Sequence, residues 1–135
     1  MITVAWGDCD PAGIVFYPTI FSWIDRGGRV VLRRMGVSRD QELSGGPIFP
    51  ILSAEARFLA PIRLDDEIAV QVTVSHVGRT SFTLAYTLTR PSDGVRVAVG
   101  VERRVKAMGG PEGTLLPTPL SERERSELEL LRPPA

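Results

Sequence analysis

The chain has one cysteine and one histidine among its 135 residues. A single cysteine allows no internal disulfide and fits a reducing compartment. One cysteine beside one histidine also argues against a structural zinc site. Neither sign of charge dominates, since 16 basic residues balance 16 acidic ones. That balance points neither to nucleic acid nor to an acidic membrane surface as a partner. No apolar run approaches bilayer length, and no basic segment followed by an apolar stretch opens the chain. Internal repeats and low-complexity segments are absent too. The expectation is one soluble, cytoplasmic domain over residues 1–135, long enough to bury a core.

What is present is strong local patterning. Residues 2–6, ITVAW, read as a short strand of β-branched and apolar residues. In YPTIFSWIDRGGRVVLRRMG, Pro18 suits the first turn of a helix and Gly36 the position past its end. Ile20, Trp23, Ile24, Val31 and Met35 recur near helical spacing. The apolar residues cover more than one stripe, so the helix is expected to be wrapped by other structure. Gly27 and Gly28 in its middle each cost about 0.5–1 kcal/mol relative to alanine. Either the backbone there approaches a sheet or neighbouring subunit closely, or the helix kinks.

Beyond a Gly-rich loop at 44–47 the period changes to that of strands. PIFPILSAEARFLAPI reads as a broken strand with prolines at its edges. EIAVQVTVSHV places Ile68, Val70, Val72 and Val74 on one face, and TSFTLAYTLTR places Phe82, Leu84, Tyr86 and Leu88. After a PSDG turn, VRVAVGVERRVKAM is read with Val95, Val97, Val99 and Val101 on one face. GGPEGTLLPTP reads as a loop, and SERERSELELLR as a short exposed helix with Ser121 and Glu124 in capping-box spacing. The fold class is therefore α+β: about five antiparallel strands curled around one long helix. The free edges of such a sheet call for protection, which dimerisation supplies.

The chemical inventory is short. His76 lies near the end of a strand and reads as a surface or interface residue. Cys9 lies between two acids, which disfavour a thiolate, so it reads as a small packing residue. Asp8 and Asp10 form an Asp-x-Asp pair, with no further carboxylate at cation-ligand spacing. Asp10 precedes Pro11, and the loop runs into a helix N-terminus at residues 17–19, which offers free N–H groups. A carboxylate beside such donors is what acyl transfer to water needs. A loop that merely caps its helix is the other reading.

GDCDPAGIVFYPTIFSWID resembles the signature of the 4-hydroxybenzoyl-CoA thioesterase family, acyl-CoA thioesterases of the hotdog fold. The match is nearly continuous from Gly7 to Pro18 and keeps Trp23 and Asp25. SAEARFLAPIRLDDEIAV and GRTSF are similar to later family segments, the second carrying a coenzyme A contact. The resemblance implies a curled sheet around a central helix and hydrolysis of an acyl-CoA thioester to acid and coenzyme A. Asp10 matches the catalytic carboxylate, as nucleophile or general base. Tyr17 matches the residue whose backbone N–H polarises the carbonyl. Asp25 matches a helix acid near the acyl ring, and its plainer reading is a structural hydrogen-bonding residue. Gly13, Phe16, Arg79, Thr80 and Ser81 fall on substrate-binding positions, Arg79 facing the coenzyme's phosphates. Two departures stand out: Val77 and Gly78 occupy places where relatives carry basic residues, and Phe16 replaces a larger aromatic. Arg57, Arg103 and Arg104 are basic residues on other strands available to compensate. No metal or cofactor is implied beyond coenzyme A itself, and a homodimer pairing into a homotetramer is. The alternatives are a non-catalytic acyl-CoA-binding module and a hotdog hydratase or dehydratase relying on His76.

Overall fold

The computed structural model describes residues 1–134. Its main sheet has five antiparallel strands in the order β1-β3-β4-β5-β2. These are β1 (Ile2–Thr3), β2 (Ile51–Phe58), β3 (Glu67–Val77), β4 (Ser81–Arg90) and β5 (Val95–Val105). The alternation expected in β3 and β4 holds: Ile68, Val74, Phe82, Leu84, Tyr86 and Leu88 are all buried. The first strand is shorter than expected, because Trp6 opens a single 3-10 turn, Trp6–Asp8.

β5 departs from its sequence reading. Leu88 pairs with Ala98 but Thr89 pairs with Arg96, so a bulge falls at Val97. One extra residue reverses the facing of everything beyond it. Val97 and Ala98 are both buried, and past them Gly100, Glu102 and Arg104 point inward while Val101 is exposed. The bulge thus delivers two charged residues, not two valines, to the interior.

α1 (Tyr17–Arg34) runs across the sheet without interruption, so Gly27 and Gly28 do not break it. They mark a close approach instead. A Cβ on Gly27 would meet the Tyr86 ring and a Val72 methyl at 3.0 Å. On Gly28 it would stand 2.9 Å from both the Arg104 guanidinium and the Tyr86 hydroxyl. Within the chain α1 is wrapped on one side only: Ile20, Trp23, Ile24, Val31 and Leu32 are buried, while Arg26, Arg29 and Arg33 are exposed. Gly36 ends the helix with φ +89°.

Three further elements complete the chain. A short helix, α2 (Arg39–Leu43), starts with a Ser38–Gln41 capping box. The segment expected to be loop contains a two-stranded ribbon, β6 (Ala107–Gly109) with β7 (Leu115–Pro117). The last helix, α3 (Glu122–Leu130), has the expected Ser121–Glu124 box but is not simply exposed. Its Leu128 and Glu124 are buried, because the helix docks at the β3–β4 end of the sheet. No helix among the described residues is long and apolar enough to cross a membrane.

Candidate functional site

Residues 7–15 form a miniature hairpin. Cys9 bridges Val15, the Asp10 N–H donates to the Ile14 carbonyl, and the Gly13 N–H donates to the Asp10 carbonyl, both at 2.9 Å. Pro11 and Ala12 form the tip, and Gly13 follows with φ +79°, a left-handed conformation that glycine takes without strain. Asp8 is structural. Its Oδ2 accepts the Ala5 N–H at 2.8 Å, and its carbonyl accepts the Phe16 N–H at 2.9 Å. Cys9 is partly buried against the core. The Val15 N–H donates to the Ile62 carbonyl, tying the hairpin to the segment that enters β3.

This backbone frame positions Asp10. Its Oδ1 accepts the Ala12 N–H at 2.8 Å, and no donor among the described residues reaches Oδ2. Asp10 lines a cavity of about 340 Å³ together with Trp6, Cys9, Pro11, Gly13 and Leu64. Trp6 is 80 % exposed there, an unusual setting for a tryptophan. Tyr17 opens α1, where an N–H has no acceptor within the helix, and no other acceptor among the described residues takes it. Tyr17 lines a neighbouring, apolar cavity of about 350 Å³ that includes Ile14, Phe58, Leu59 and Ile62. Within one chain, then, Asp10 and Tyr17 flank the same hairpin but line different cavities.

An aromatic wall borders the second cavity. The Tyr17 ring lies 5.5 Å from that of Phe16 and 6.1 Å from that of Phe58, and Phe58 meets Phe21 edge-on at 6.5 Å. Tyr17, Phe21 and Asp25 follow one another at four-residue spacing, hence along one line of α1. The Asp25 Oδ1 accepts from Arg104 Nη2 at 3.1 Å.

Arg79, Thr80 and Ser81 stand apart at the β3–β4 turn. All three carbonyls of Gly78–Thr80 are occupied: Arg125 donates to Gly78, the Leu120 N–H to Arg79, and the Lys106 N–H to Thr80. α3, its approach and the residue that follows β5 thus clamp the turn, while the Arg79 side chain stays exposed. Burial pushes Glu124 of α3 up, but hydrogen bonds from Lys106 and from Ser121 outweigh it and hold the carboxyl below its usual range. His76 is exposed at the end of β3 and lines neither cavity.

Of the three arginines available to compensate for Val77 and Gly78, Arg104 is not free to do so. Arg104 is 5 % exposed and is committed inside the protein to Glu102, Asp25 and the Phe49 carbonyl. It is closed to a surface phosphate because the β5 bulge turns it inward. Arg57 and Arg103 remain exposed. Sequence reasoning missed the buried Glu102, whose only local signal was its two-residue spacing from Arg104 in a strand.

Comparison with known proteins gives the class. The Thioesterase superfamily model matches residues 12–97, more than half the chain. The chain belongs to this family, and it is a thioester hydrolase with the hotdog fold. Over 115 residues it is 30 % identical to the 4-hydroxybenzoyl-CoA thioesterase of Pseudomonas sp. strain CBS-3, covering 81 % of this chain and 82 % of that protein. The solved structure of that enzyme superposes with a TM-score of 0.83 at 28 % identity, covering 93 % of this chain and 94 % of that one. A 1,4-dihydroxy-2-naphthoyl-CoA hydrolase of Thermosynechococcus vestitus is 33 % identical over 98 residues, 72 % of this chain and 66 % of that protein. A gentisyl-coenzyme A thioesterase structure has a TM-score of 0.79 at 28 % identity, covering 94 % and 96 % of the two chains.

Proposed function

We propose that the protein hydrolyses the coenzyme A thioester of a small hydroxylated aromatic acid. The reading is carried by Asp10: one carboxylate oxygen is fixed by the hairpin, the other meets no donor among the described residues, and Asp10 lines one cavity while Tyr17, across the same hairpin, lines the other. The relatives named above act on hydroxybenzoyl, dihydroxynaphthoyl and gentisyl thioesters, all of which carry ring hydroxyls. The aromatic wall of Phe16, Tyr17, Phe21 and Phe58 suits a flat acyl group.

In this reading Asp10 attacks the thioester carbonyl, or draws a proton from a water that does. The Tyr17 N–H stabilises the oxyanion as the carbonyl becomes tetrahedral. Its collapse expels coenzyme A as the thiolate. If Asp10 has attacked, water then cleaves the resulting mixed anhydride and restores the carboxylate. Gly13 lets the hairpin close beneath the substrate, and Phe16 and Asp25 border the acyl group. The Arg79–Ser81 turn receives the phosphates of the coenzyme. No metal or redox group has a part in these steps.

The working unit is proposed to be a homodimer, paired further into a homotetramer. Among the described residues β2 bonds only to β5, which leaves its outer edge unpaired, and Ile51, Leu52 and Phe58 of this strand are exposed. A second copy of the chain on that edge covers them and brings its own residues to the cavities. The single thiol, Cys9, fits a cytoplasmic setting.

The test is thiol release measured across benzoyl-, hydroxybenzoyl-, phenylacetyl- and aliphatic acyl-CoA. Fastest turnover is expected with hydroxylated aromatic thioesters. Saturable binding without thiol release from any of them would overturn the assignment in favour of a binding module.

A further inference from the structure

β3 borders the side of the sheet opposite β2, and most of its outer edge is bare. β1 pairs with it only at Glu67 and Ile68. At the other end the Val74 N–H donates to the Leu131 carbonyl at 3.0 Å, so it points away from β4. Strand geometry repeats every two residues, which turns the N–H and carbonyl of Val70 and Val72 the same way. No main-chain group among the described residues bonds to them on that side. The open stretch from Ile68 to Val74 is about 20 Å long. Native edges are commonly blunted by a charge, a proline or a bulge. None falls between these two residues, since the irregularity in the β3–β4 pairing comes only after Val74.

Beside this edge lies a third cavity, of about 220 Å³, which shares no lining residue with the two at the Asp10 hairpin. Val30, Val31, Val70, Val72 and Leu131 line it, and Arg34 is its one charged wall among the described residues. Val30 is 52 % exposed. The nearest acid to Arg34, Glu127, stands at 4.0 Å, and the arginine side chain is half exposed.

These features select their occupant. Donors and acceptors that alternate at strand spacing match a peptide main chain, whereas a free carboxylic acid supplies only part of the set. A second copy of β3 does not fit. Its own β1 and Leu131 close the same stretch from both ends, and the two sets of obstructions collide. The apolar walls call for apolar side chains, and Arg34 calls for a carboxylate.

We propose that the open edge of β3 binds an extended segment of a partner protein as an added antiparallel strand. Directly opposed residues of such a pair project to the same face. Two apolar side chains of the segment, two residues apart, therefore enter the cavity beside Val72 and Val70, and a neighbouring acidic residue meets Arg34. The surface lies across the sheet from β2, so it stays open when a second copy of the chain occupies that strand.

The probe is the peptide acetyl-Glu-Val-Thr-Val-Thr-amide, added to the full chain while amide exchange is followed residue by residue. In the free protein the Val70 and Val72 amides are expected to exchange fast, and those of Gln71 and Thr73, which face β4, slowly. Saturating peptide is expected to slow Val70 and Val72 by about 10-fold, the scale of one hydrogen bond. Methylating the main-chain nitrogen of either peptide valine removes a pairing donor and is expected to weaken binding by about 10-fold. Methylating that of the threonine between them, which faces solvent, is expected to change little. Lysine in place of the glutamate is expected to weaken binding by about 3-fold at low salt. Val70→Pro removes one outward N–H and no bond to β4, so it is expected to stay folded by thermal melting and to lose the peptide. Should that variant fail to fold, the methylated peptides decide alone. Absence of peptide binding, or equal losses from methylation at all three nitrogens, would overturn the proposal. Slow Val70 and Val72 exchange in the free protein would overturn it too. Protection that appears only as protein concentration rises would assign the edge to a second copy instead.

Discussion

The Asp10 side chain is tied to the Ala12 backbone by one bond, Oδ1 accepting the N–H at 2.8 Å, and by no other among the described residues. Asparagine offers the same accepting oxygen at that place, so Asp10→Asn is expected to keep the hairpin and the melting temperature. It loses the carboxylate, and turnover is expected to fall by about 10²–10⁴-fold, the usual contribution of a positioned acid or base. Thiol release and thermal melting on the same sample check both halves.

The Tyr17 N–H can be removed without breaking its helix. Tyr17 is the first residue of α1, and Phe16 before it is extended at φ −65°, ψ 124°. Both conformations suit an inserted proline. Tyr17→Pro is expected to be slower than Tyr17→Ala by about 10²–10³-fold, the scale for one oxyanion donor. Tyr17→Phe is expected to stay near the wild type. Single-turnover kinetics on the three variants make the comparison.

Gly28→Ala sets two effects against each other. Helix propensity favours alanine by about 0.8–1 kcal/mol. The new methyl, however, stands 2.9 Å from the Arg104 and Tyr86 atoms that the buried network holds in place. Overpacking of that kind costs about 1–3 kcal/mol, so a net loss of about 1 kcal/mol is expected in a denaturant titration.

Arg125 holds the Gly78 carbonyl at 3.1 Å, one of the three bonds that clamp the β3–β4 turn. If that turn receives the coenzyme's phosphates, Arg125→Ala raises KM for an acyl-CoA by about 3- to 10-fold, the scale of one hydrogen bond. The same acyl group on N-acetylcysteamine, which lacks the nucleotide, is expected to show no such rise. Steady-state kinetics with the two thioesters separate a loosened turn from a general loss of activity.

Acid should loosen α3. The folded state holds Glu124 below its ordinary range. Its contribution to stability is therefore complete above the ordinary glutamate value of about 4.3 and is lost as the pH falls through the lower, folded value. Melting temperature against pH is expected to fall less steeply on the acid side in Glu124→Gln than in the wild type.

Much of this was legible in the residues themselves. β3 and β4 follow their alternation because no irregularity falls between Ile68 and Val74 or between Phe82 and Leu88. Gly27 and Gly28 stand out because nothing but a close approach repays two glycines inside an unbroken helix. β5 misleads because one bulge at Val97 inverts the pattern, and alternation alone carries no sign of it. α2 is short, and its one local sign is the Ser38–Gln41 capping-box spacing. The buried face of α3 is hard to see because its two leucines, Leu128 and Leu130, sit in a charged run and only Leu128 is buried. At the site, the resemblance singles out the Asp10 hairpin, and local chemistry explains its shape. The pairing of Asp25 with Arg104 spans 79 positions and exists only once the sheet has formed.

The hairpin that carries Asp10 is held almost wholly by main-chain bonds, from Asp10 to Ile14, Gly13 to Asp10 and Val15 to Ile62. The walls around it are side chains: Trp6 and Leu64 on one side, Ile14, Phe58 and Leu59 on the other. Exchange of those walls leaves the carboxylate where it is. The chain thus has a division of labour suited to descent with change, in which lineages can trade one acyl group for another while the reacting atoms stay in place.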